Sequence, residues 1–208
     1  MNAGHTAERV YGSLRALLLE GGFRPGQRLD PAMLAAELSS SATPIRDALN
    51  RLTGEGLVTA RTSEGFHTPL VDQIELVDLY RWSTDIAKLS LRSRRRGHHF
   101  AAEAYDWPTD AVSHARATTK LLAQLAGASA NAEHGNALYS VQARLGSAYC
   151  AEVQILPAFD EEMALLAATV AANDIPRVNQ LLDARLRRRV QHGAEIVRWL
   201  YRQASPKT

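Results

Sequence analysis

The sequence has few of the features that mark secreted or membrane proteins. Its 208 residues contain one cysteine, Cys150, which excludes an internal disulfide framework and fits a reducing compartment. The most apolar late stretch, residues 163–172, is about half as long as the roughly 20 residues that a helix needs to cross a bilayer. No apolar run near residue 1 resembles the core of a secretory signal. We therefore expect a cytoplasmic protein without a membrane span.

An excess of charge of one sign is also lacking. The formal net charge is +2, and residues 1–70 hold seven arginines, no lysine and seven acidic residues. Apolar residues make up 46% of the chain and charged residues 22%, as in an ordinary globular protein. Any binding to nucleic acid must therefore arise from local geometry and not from bulk charge.

The most informative stretch is residues 41–56, which carries helix signals at both ends. Thr43 can cap a helix with its hydroxyl, and Pro44 suits the first helical position. Gly56 can take the left-handed conformation that ends a helix. Helical spacing puts the apolar residues on one face, and these are Ile45, Leu49 and Leu52. The other faces are free for binding and carry Arg46, Asp47 and Asn50.

Two shorter helical patterns precede this stretch. Residues 7–20 form an amphipathic pattern that Gly21 and Gly22 stop. A second pattern over residues 32–38 begins with the cap-then-proline signal Asp30-Pro31. Only about four residues join this second helix to the Thr43 helix, a spacing typical of helix-turn-helix units.

After Gly56 the pattern changes to short extended runs. Residues 57–61 and 66–70 predict a small hairpin, or wing, with Gly65 supplying the positive φ that its tip needs. We place a first domain at residues 1–70 and an all-helical second domain at 71–208. The predicted helices of the second domain lie near 72–95, 108–129, 132–155, 159–172 and 176–202, with a further short one near 98–106. The predicted fold is mainly α, a winged helix-turn-helix followed by a helical bundle.

The order helix, helix, capped helix and wing resembles the winged-helix domain of GntR-family transcription regulators. The helical remainder is similar to the ligand-binding FCD domain of the FadR-type branch, most clearly in residues 160–189. The resemblance implies a homodimer that binds a double-stranded DNA operator and is modulated by an unknown small-molecule effector, without catalytic activity. The matching residues are Pro25-Gly26, Leu29, Leu34-Ala35, Thr43 to Leu49, Arg51-Leu52, Glu55 to Val58 and Gly65.

In that family the third helix enters the major groove and the wing touches the adjacent minor groove and backbone. Arg46 is suited to a bidentate guanine contact or to a phosphate, and Thr43 to a phosphate near the helix N-terminus. The alternative is that Arg46 pairs with Asp47 or Glu55 on a solvated surface. The residues expected to contact DNA are Ser41, Thr43, Arg46, Asn50, Gly65 and His67.

The chain departs from the family pattern at the entrance to this helix. Ala42 stands where the family usually has an arginine, and Ser39 stands where a glycine is common. Loss of a guanidinium contact commonly worth ~1–3 kcal/mol predicts weaker binding or a different operator. The alternative function is therefore a dimerisation or sensor module of a regulatory complex with impaired DNA binding.

FCD domains often hold a divalent metal through one aspartate and three histidines. The corresponding positions here are Ala115, Thr119, Met163 and Arg185, which do not form a donor set for a hard or borderline cation. The remaining histidines lack i, i+4 pairing, so we expect no metal and no cofactor.

Arg185 is the residue of the helical domain that needs an explanation. If it points into the bundle, it requires an anionic partner, either an acid such as Asp160 or Glu161 or a bound effector. Otherwise its basic run, residues 185–189, is a solvated face. The residues expected to bind an effector are Ser83, Thr119, Met163 and Arg185.

Overall fold

The computed structural model describes residues 3–100 and 110–202, which form a mainly helical protein with one small sheet. The predicted fold class is confirmed. The described residues form two compact units. The first consists of residues 3–71 together with residues 200–202, and the second is Asp72–Trp199. The elements up to Val71 are α1 (Ala3–Leu19), β1 (Arg28–Leu29), α2 (Pro31–Glu37), α3 (Ala42–Gly54), β2 (Thr59–Arg61) and β3 (Gly65–His67). The elements that follow are α4 (Gln73–Arg92), α5 (Ala111–Gly127), α6 (Ala132–Ile155), α7 (Phe159–Ala171) and α8 (Ile175–Arg202).

The first unit buries one apolar stripe from each of its helices. Helix α3 contributes the three residues that periodicity predicts, and α1 packs against it. At the end of α3, Gly56 has φ 73° and Leu57 N donates to Leu52 O at 3.0 Å, which closes the helix as a left-handed cap does. The buried residues of this core include Val10, Leu14, Leu29, Leu34, Ile45, Leu49, Leu52 and Val58.

The predicted cap of α3 is wrong by two residues. The helix begins at Ala42, and Ser41, with extended backbone angles, takes the capping position in place of Thr43. Pro44 therefore lies at the third helical position and not the first. This is tolerated because N–H groups in the first turn have no partner within the helix, so a residue lacking one loses nothing.

The wing belongs to a three-stranded antiparallel sheet in the order β1-β3-β2. Sequence patterns predict the hairpin of β2 and β3 but miss β1, which is only two residues long and pairs Arg28 with His67. The extra strand makes β3 central. Gly65, with φ 82°, begins β3 opposite Arg61, so the tip of the hairpin has the positive φ that the sequence predicts.

The described residues from Asp72 onward contain five long helices whose positions agree with the sequence prediction to within a few residues. Helix α6 packs against α4, α5 and α7. The short helix predicted near 98–106 lies largely outside the described residues. No helix in the described part of the chain combines the length and hydrophobicity that a membrane span requires.

Candidate nucleic-acid interface and ligand core

Helix α3 presents a polar face to solvent, opposite the stripe that it buries. Ser41, Thr43, Arg46 and Asn50 are all exposed. Thr43, Arg46 and Asn50 are spaced by three and four residues, so they share the outward side of α3, and Ser41 precedes its first turn. The structure therefore brings together four of the six residues that the sequence nominates for DNA contact.

Arg46 makes no hydrogen bond or ion pair with any residue that the structure describes. Glu55, one of the two acids considered as its partner, is already engaged: its carboxylate accepts from Arg15 Nε at 3.1 Å and from the Tyr11 hydroxyl. Neighbouring Arg51 pairs with Glu8 at 2.8 Å. The Arg46 guanidinium is thus available to an external acceptor.

The N-terminus of α3 is open. Ser41 makes no side-chain capping hydrogen bond, whereas Asp30 caps α2 and Asp72 caps α4. The first backbone N–H groups of α3, from Ala42 and Thr43, therefore receive no acceptor from the cap residue. Together with the helix dipole, such groups favour a phosphate oxygen.

At the wing, the structure separates the two nominated residues. Gly65 is exposed at the tip, but His67, on the central strand β3, is only 9% exposed. His67 is therefore poorly placed for DNA contact, contrary to its nomination. Sequence reasoning overlooked Arg61, an exposed cation beside the tip that pairs with Glu64 at 2.8 Å. The sequence feature that could have identified Arg61 is its position as a basic residue at the end of a predicted hairpin strand.

In the helical unit, the four residues that the FCD resemblance places at metal positions do not fit a metal. Ala115 offers no side-chain donor, and Thr119 donates its hydroxyl to Ala115 O at 2.9 Å within α5. Met163 is fully buried and offers only a thioether, while Arg185 is a cation. No group of three or more His, Cys, Asp or Glu side chains among the described residues is arranged to hold a metal ion.

Arg185 lies inside the bundle, 4% exposed, and its partners are not the predicted ones. Its Nη2 lies 3.4 Å from Glu152 Oε2, and its Nε lies 3.9 Å from Glu162 Oε1, so Asp160 and Glu161 are the wrong acids. A protein carboxylate already satisfies its charge. This counts against Arg185 acting as a receptor for an anionic effector.

Arg189, one turn further along α8, completes the cluster. Its Nη2 donates to Glu152 Oε2 at 2.8 Å, its Nε to the same oxygen at 3.1 Å, and its Nη1 to Glu162 Oε1. The interpretation of residues 185–189 as a solvated face is therefore wrong for Arg185 and Arg189. Sequence reasoning did not identify Glu152. Its position seven residues after Leu145, on the buried stripe of α6, could have indicated a buried acid.

Two buried tyrosines adjoin this charge cluster. Arg185 lies over the Tyr149 ring at 5.5 Å, and burial raises the pKa of Tyr149 to about 12, with Ser83 acting in the opposite direction. Burial, followed by the charge of Glu152, raises the pKa of Tyr80 well above its usual value. The Tyr80 hydroxyl nevertheless lacks the geometry of a direct hydrogen bond to that carboxylate. Of the residues nominated for effector binding, Ser83 and Arg185 thus meet at Tyr149.

Comparison with known proteins supports the N-terminal assignment. Residues 6–67 match the family model described as bacterial regulatory proteins, gntR family. The chain is 41% identical over 70 residues to the Nta operon transcriptional regulator of Aminobacter aminovorans, which covers 34% of this chain and 33% of that protein. It is 27% identical over 113 residues to the HTH-type transcriptional repressor GlaR of Escherichia coli, covering 53% and 48%. The chain thus matches between a third and a half of the length of these relatives.

A solved structure resembles nearly the whole chain. The putative transcriptional regulator GntR from Rhodococcus sp. RHA1 superposes with a TM-score of 0.69 at 18% sequence identity, covering 92% of this chain and 97% of that one. At this identity the likeness shows the fold alone. The N-terminal unit therefore has the GntR winged-helix fold, followed by a helical region.

Proposed function

We propose that the chain is a transcription regulator of the GntR type that binds operator DNA through α3 and the wing. The observation that carries the proposal is Arg46, an exposed guanidinium on the outward face of α3 that has no partner among the residues that the structure describes. It is supported by the match of residues 6–67 to the gntR family model and by the similarity to two transcriptional regulators, those of the Nta operon and GlaR.

In this proposal α3 lies in the major groove. Arg46 and Asn50 contact base edges, while Ser41, Thr43 and the open N-terminus of α3 hold a phosphate. Gly65 lets the wing tip approach the backbone closely, and Arg61 supplies a charge beside it. Ala42 at the first helical position removes the arginine that the family usually has there, so Arg46 carries more of the specificity.

We further propose that the regulator is a homodimer formed by the helical unit. Helix α4 exposes Ile74 (76%), Trp82 (54%) and Leu89 (39%), whose spacing keeps them within one third of the helix circumference. We expect a second copy to cover this stripe, and we expect the two α3 helices of the dimer to meet half-sites about one DNA turn, ~34 Å, apart. Sedimentation of wild type and a Trp82→Ala variant tests the dimer: an unchanged association constant places the interface elsewhere.

The DNA role is tested by selecting bound genomic fragments at physiological salt and comparing variants on the selected site. We expect Arg46→Ala to weaken specific binding about 10- to 100-fold, in line with ~1–3 kcal/mol for a bidentate base contact, and to leave unspecific binding nearly unchanged. Arg46→Lys separates the two possible contacts, since lysine can hold a phosphate but cannot bond guanine as a fork.

A matched control is Arg177→Ala, which removes an exposed arginine near the start of α8 and should leave operator binding unchanged. Unaltered affinity of Arg46→Ala for the selected site would falsify the role of Arg46. If only salt-sensitive binding without an enriched palindrome is found, the chain is the alternative sensor or dimerisation module.

A further inference from the structure

A group of arginines lies at the C-terminal end of α4 and in the loop that follows it. Residues 86–100 contain four arginines and no acidic residue. Three of the arginines, Arg92, Arg95 and Arg96, are exposed and together form the basic patch. Helix α4 ends at Arg92, where a cation is stabilised by the carbonyl groups of the last turn. This explanation does not extend to Arg95 and Arg96, because they follow the end of the helix.

The backbone holds this loop against the turn between α5 and α6. Arg95 N donates to Ala128 O at 3.0 Å, and Ala130 N donates to Ser93 O at 2.8 Å. Gly97, with φ 73°, then turns the chain. Because the backbone of the loop is fixed at these points, less conformational entropy is lost when its side chains bind a partner.

The three arginines of the basic patch lack a counter-charge within the described residues. None of them forms a hydrogen bond or an ion pair through its side chain there. Glu133, which follows the turn that holds the loop, accepts instead from Asn136 Nδ2 at 3.2 Å. By contrast, the exposed residues Arg51, Arg61 and Arg81 each pair with a carboxylate at 2.8–3.0 Å. Adjacent cations without such a partner attract an external anion.

The composition of the loop favours a phosphate backbone over a protein surface as the partner. Residues 92–99 contain no large apolar side chain, and Phe100, which follows them, is only 6% exposed. Protein interfaces depend on buried aromatic and apolar anchors, whereas phosphate oxygens are held by guanidinium groups alone. Separate exposed guanidinium groups also suit a polymer of phosphates better than a single small anion, which needs donors that converge in a pocket.

The position of the basic patch on α4 determines which DNA it can contact. Helix α4 begins at Gln73, two residues after Val71, and its 20 residues span about 30 Å. The basic patch is therefore at the end of α4 opposite to the connection with the winged-helix unit. A duplex carries phosphate charge along its whole length, so a surface at this end needs no particular base sequence.

We propose that the basic patch binds the phosphate backbone of duplex DNA outside the half-site that α3 contacts. Arg95 and Arg96 donate to phosphate oxygens, and Arg92 adds its charge beside them. The contact is independent of base sequence and sensitive to salt. The choice of DNA among polyanions rests on the proposed function, because a protein held on an operator meets other DNA at a high local concentration.

The test uses the full chain with ¹⁵N-labelled arginine and an excess of a random-sequence duplex of about 12 base pairs, slightly more than one helical turn. The Nε–H resonances of Arg95, Arg96 and Arg46 are assigned from their loss in Arg95→Lys, Arg96→Lys and Arg46→Lys. We expect the duplex to shift the resonances of Arg95 and Arg96 saturably. A glutamate peptide of equal charge is the comparison probe, and it should saturate only at higher concentration.

The Arg46 resonance separates this proposal from the proposed function. A shift of Arg46 without a shift of Arg95 and Arg96 overturns the basic patch and leaves the role of α3 intact. Shifts of Arg95 and Arg96 alone support the basic patch and count against α3. Saturation by the glutamate peptide at equal or lower concentration makes the patch a protein-binding surface and overturns the DNA assignment, and the absence of any shift overturns both proposals.

A double variant then tests the number of phosphate contacts. In Arg95→Ala/Arg96→Ala the remaining Arg92 resonance reports the affinity for the duplex. The slope of log affinity against log salt should become shallower by up to about 1.8, or 0.9 for each lost phosphate contact. The matched control Arg187→Ala/Arg198→Ala removes two exposed arginines from α8 and should keep the wild-type slope. An equal change in the control would assign the effect to net charge and overturn the proposal.

Discussion

The Glu152 carboxylate lies 2.8 Å from the Arg189 guanidinium, and both side chains are fully buried. Because the same oxygen also faces Arg185, Glu152 joins two residues of α8 to α6. A buried ion pair of this kind is weak grounds for high stability as a whole, but removal of one partner leaves the other charge without compensation.

Glu152→Gln should therefore destabilise the protein strongly. The substitution preserves size but leaves Arg185 and Arg189 without the charge of Glu152, and we expect a loss of ~3–5 kcal/mol. Urea unfolding followed by circular dichroism measures the change. Asp78→Asn is the control, because Asp78 pairs with Arg81 at the surface and should contribute less than ~1 kcal/mol. Equal losses in the free energy of unfolding would show that the buried Glu152 pair contributes no more to stability than the surface pair of Asp78.

Tyr149→Phe should change the dependence of stability on alkaline pH. Burial raises the pKa of Tyr149 to about 12, while an unfolded tyrosine titrates near ~10. The folded state therefore favours the protonated form, so this contribution is complete below pH ~10 and is lost as pH rises to ~12. The wild type should lose about 2–3 kcal/mol more than Tyr149→Phe across this window. Urea unfolding of both proteins at the two ends of this pH window measures the difference. Equal losses of stability in the two proteins would contradict the raised pKa of Tyr149.

Ser39→Gly should stabilise the first unit. Ser39 follows α2 with φ 47°, a left-handed conformation that strains a residue with a Cβ, and Ser40 N donates to Ala35 O as in a glycine-ended helix. Glycine removes this strain, and we expect a gain of ~1 kcal/mol in the free energy of unfolding. Thermal unfolding of the wild type and of Ser39→Gly measures this gain. The control is Ser40→Gly, which changes the next residue along the chain. A destabilised Ser39→Gly protein would mean that unfolded-chain entropy outweighs the strain.

Glu64→Gln should strengthen unspecific DNA binding. The hydrogen bond from Arg61 holds the pKa of the Glu64 carboxyl below its usual range, so the acid is charged and competes with phosphate for Arg61. Freeing Arg61 should steepen the slope of log affinity against log salt by up to about 0.9, the value for one added phosphate contact. Fluorescence anisotropy at several salt concentrations provides the slope. Glu195→Gln makes the same change of net charge on α8; an equal effect there would rule out a local role for the wing.

The local signals of the sequence predict much of the fold. Asp30 caps α2 with its carboxylate accepting from Ala32 N at 2.8 Å, and Gly56 ends α3 with positive φ, both as residue chemistry predicts. Helical periodicity predicts the five long helices because an apolar stripe at 3.6-residue spacing can be recognised from the residues of each segment alone. The exposed face of α3 follows from the same spacing, which is why Arg46 could be singled out.

What only the tertiary structure decides depends on residues far apart in the chain. Strand β1 exists because Arg28 and Leu29 pair with β3, the strand on which His67 is buried despite its nomination for DNA contact. Likewise, Arg185 and Arg189 are buried because Glu152, more than 30 residues earlier, supplies a carboxylate inside the bundle. An isolated run of arginines is better solvated at the surface, and only the packing of α6 against its neighbours reveals the counter-charge that reverses this preference. The sequence by itself thus determines the helices and the exposed polar face of α3, whereas the core of the helical unit is decided by long-range contacts.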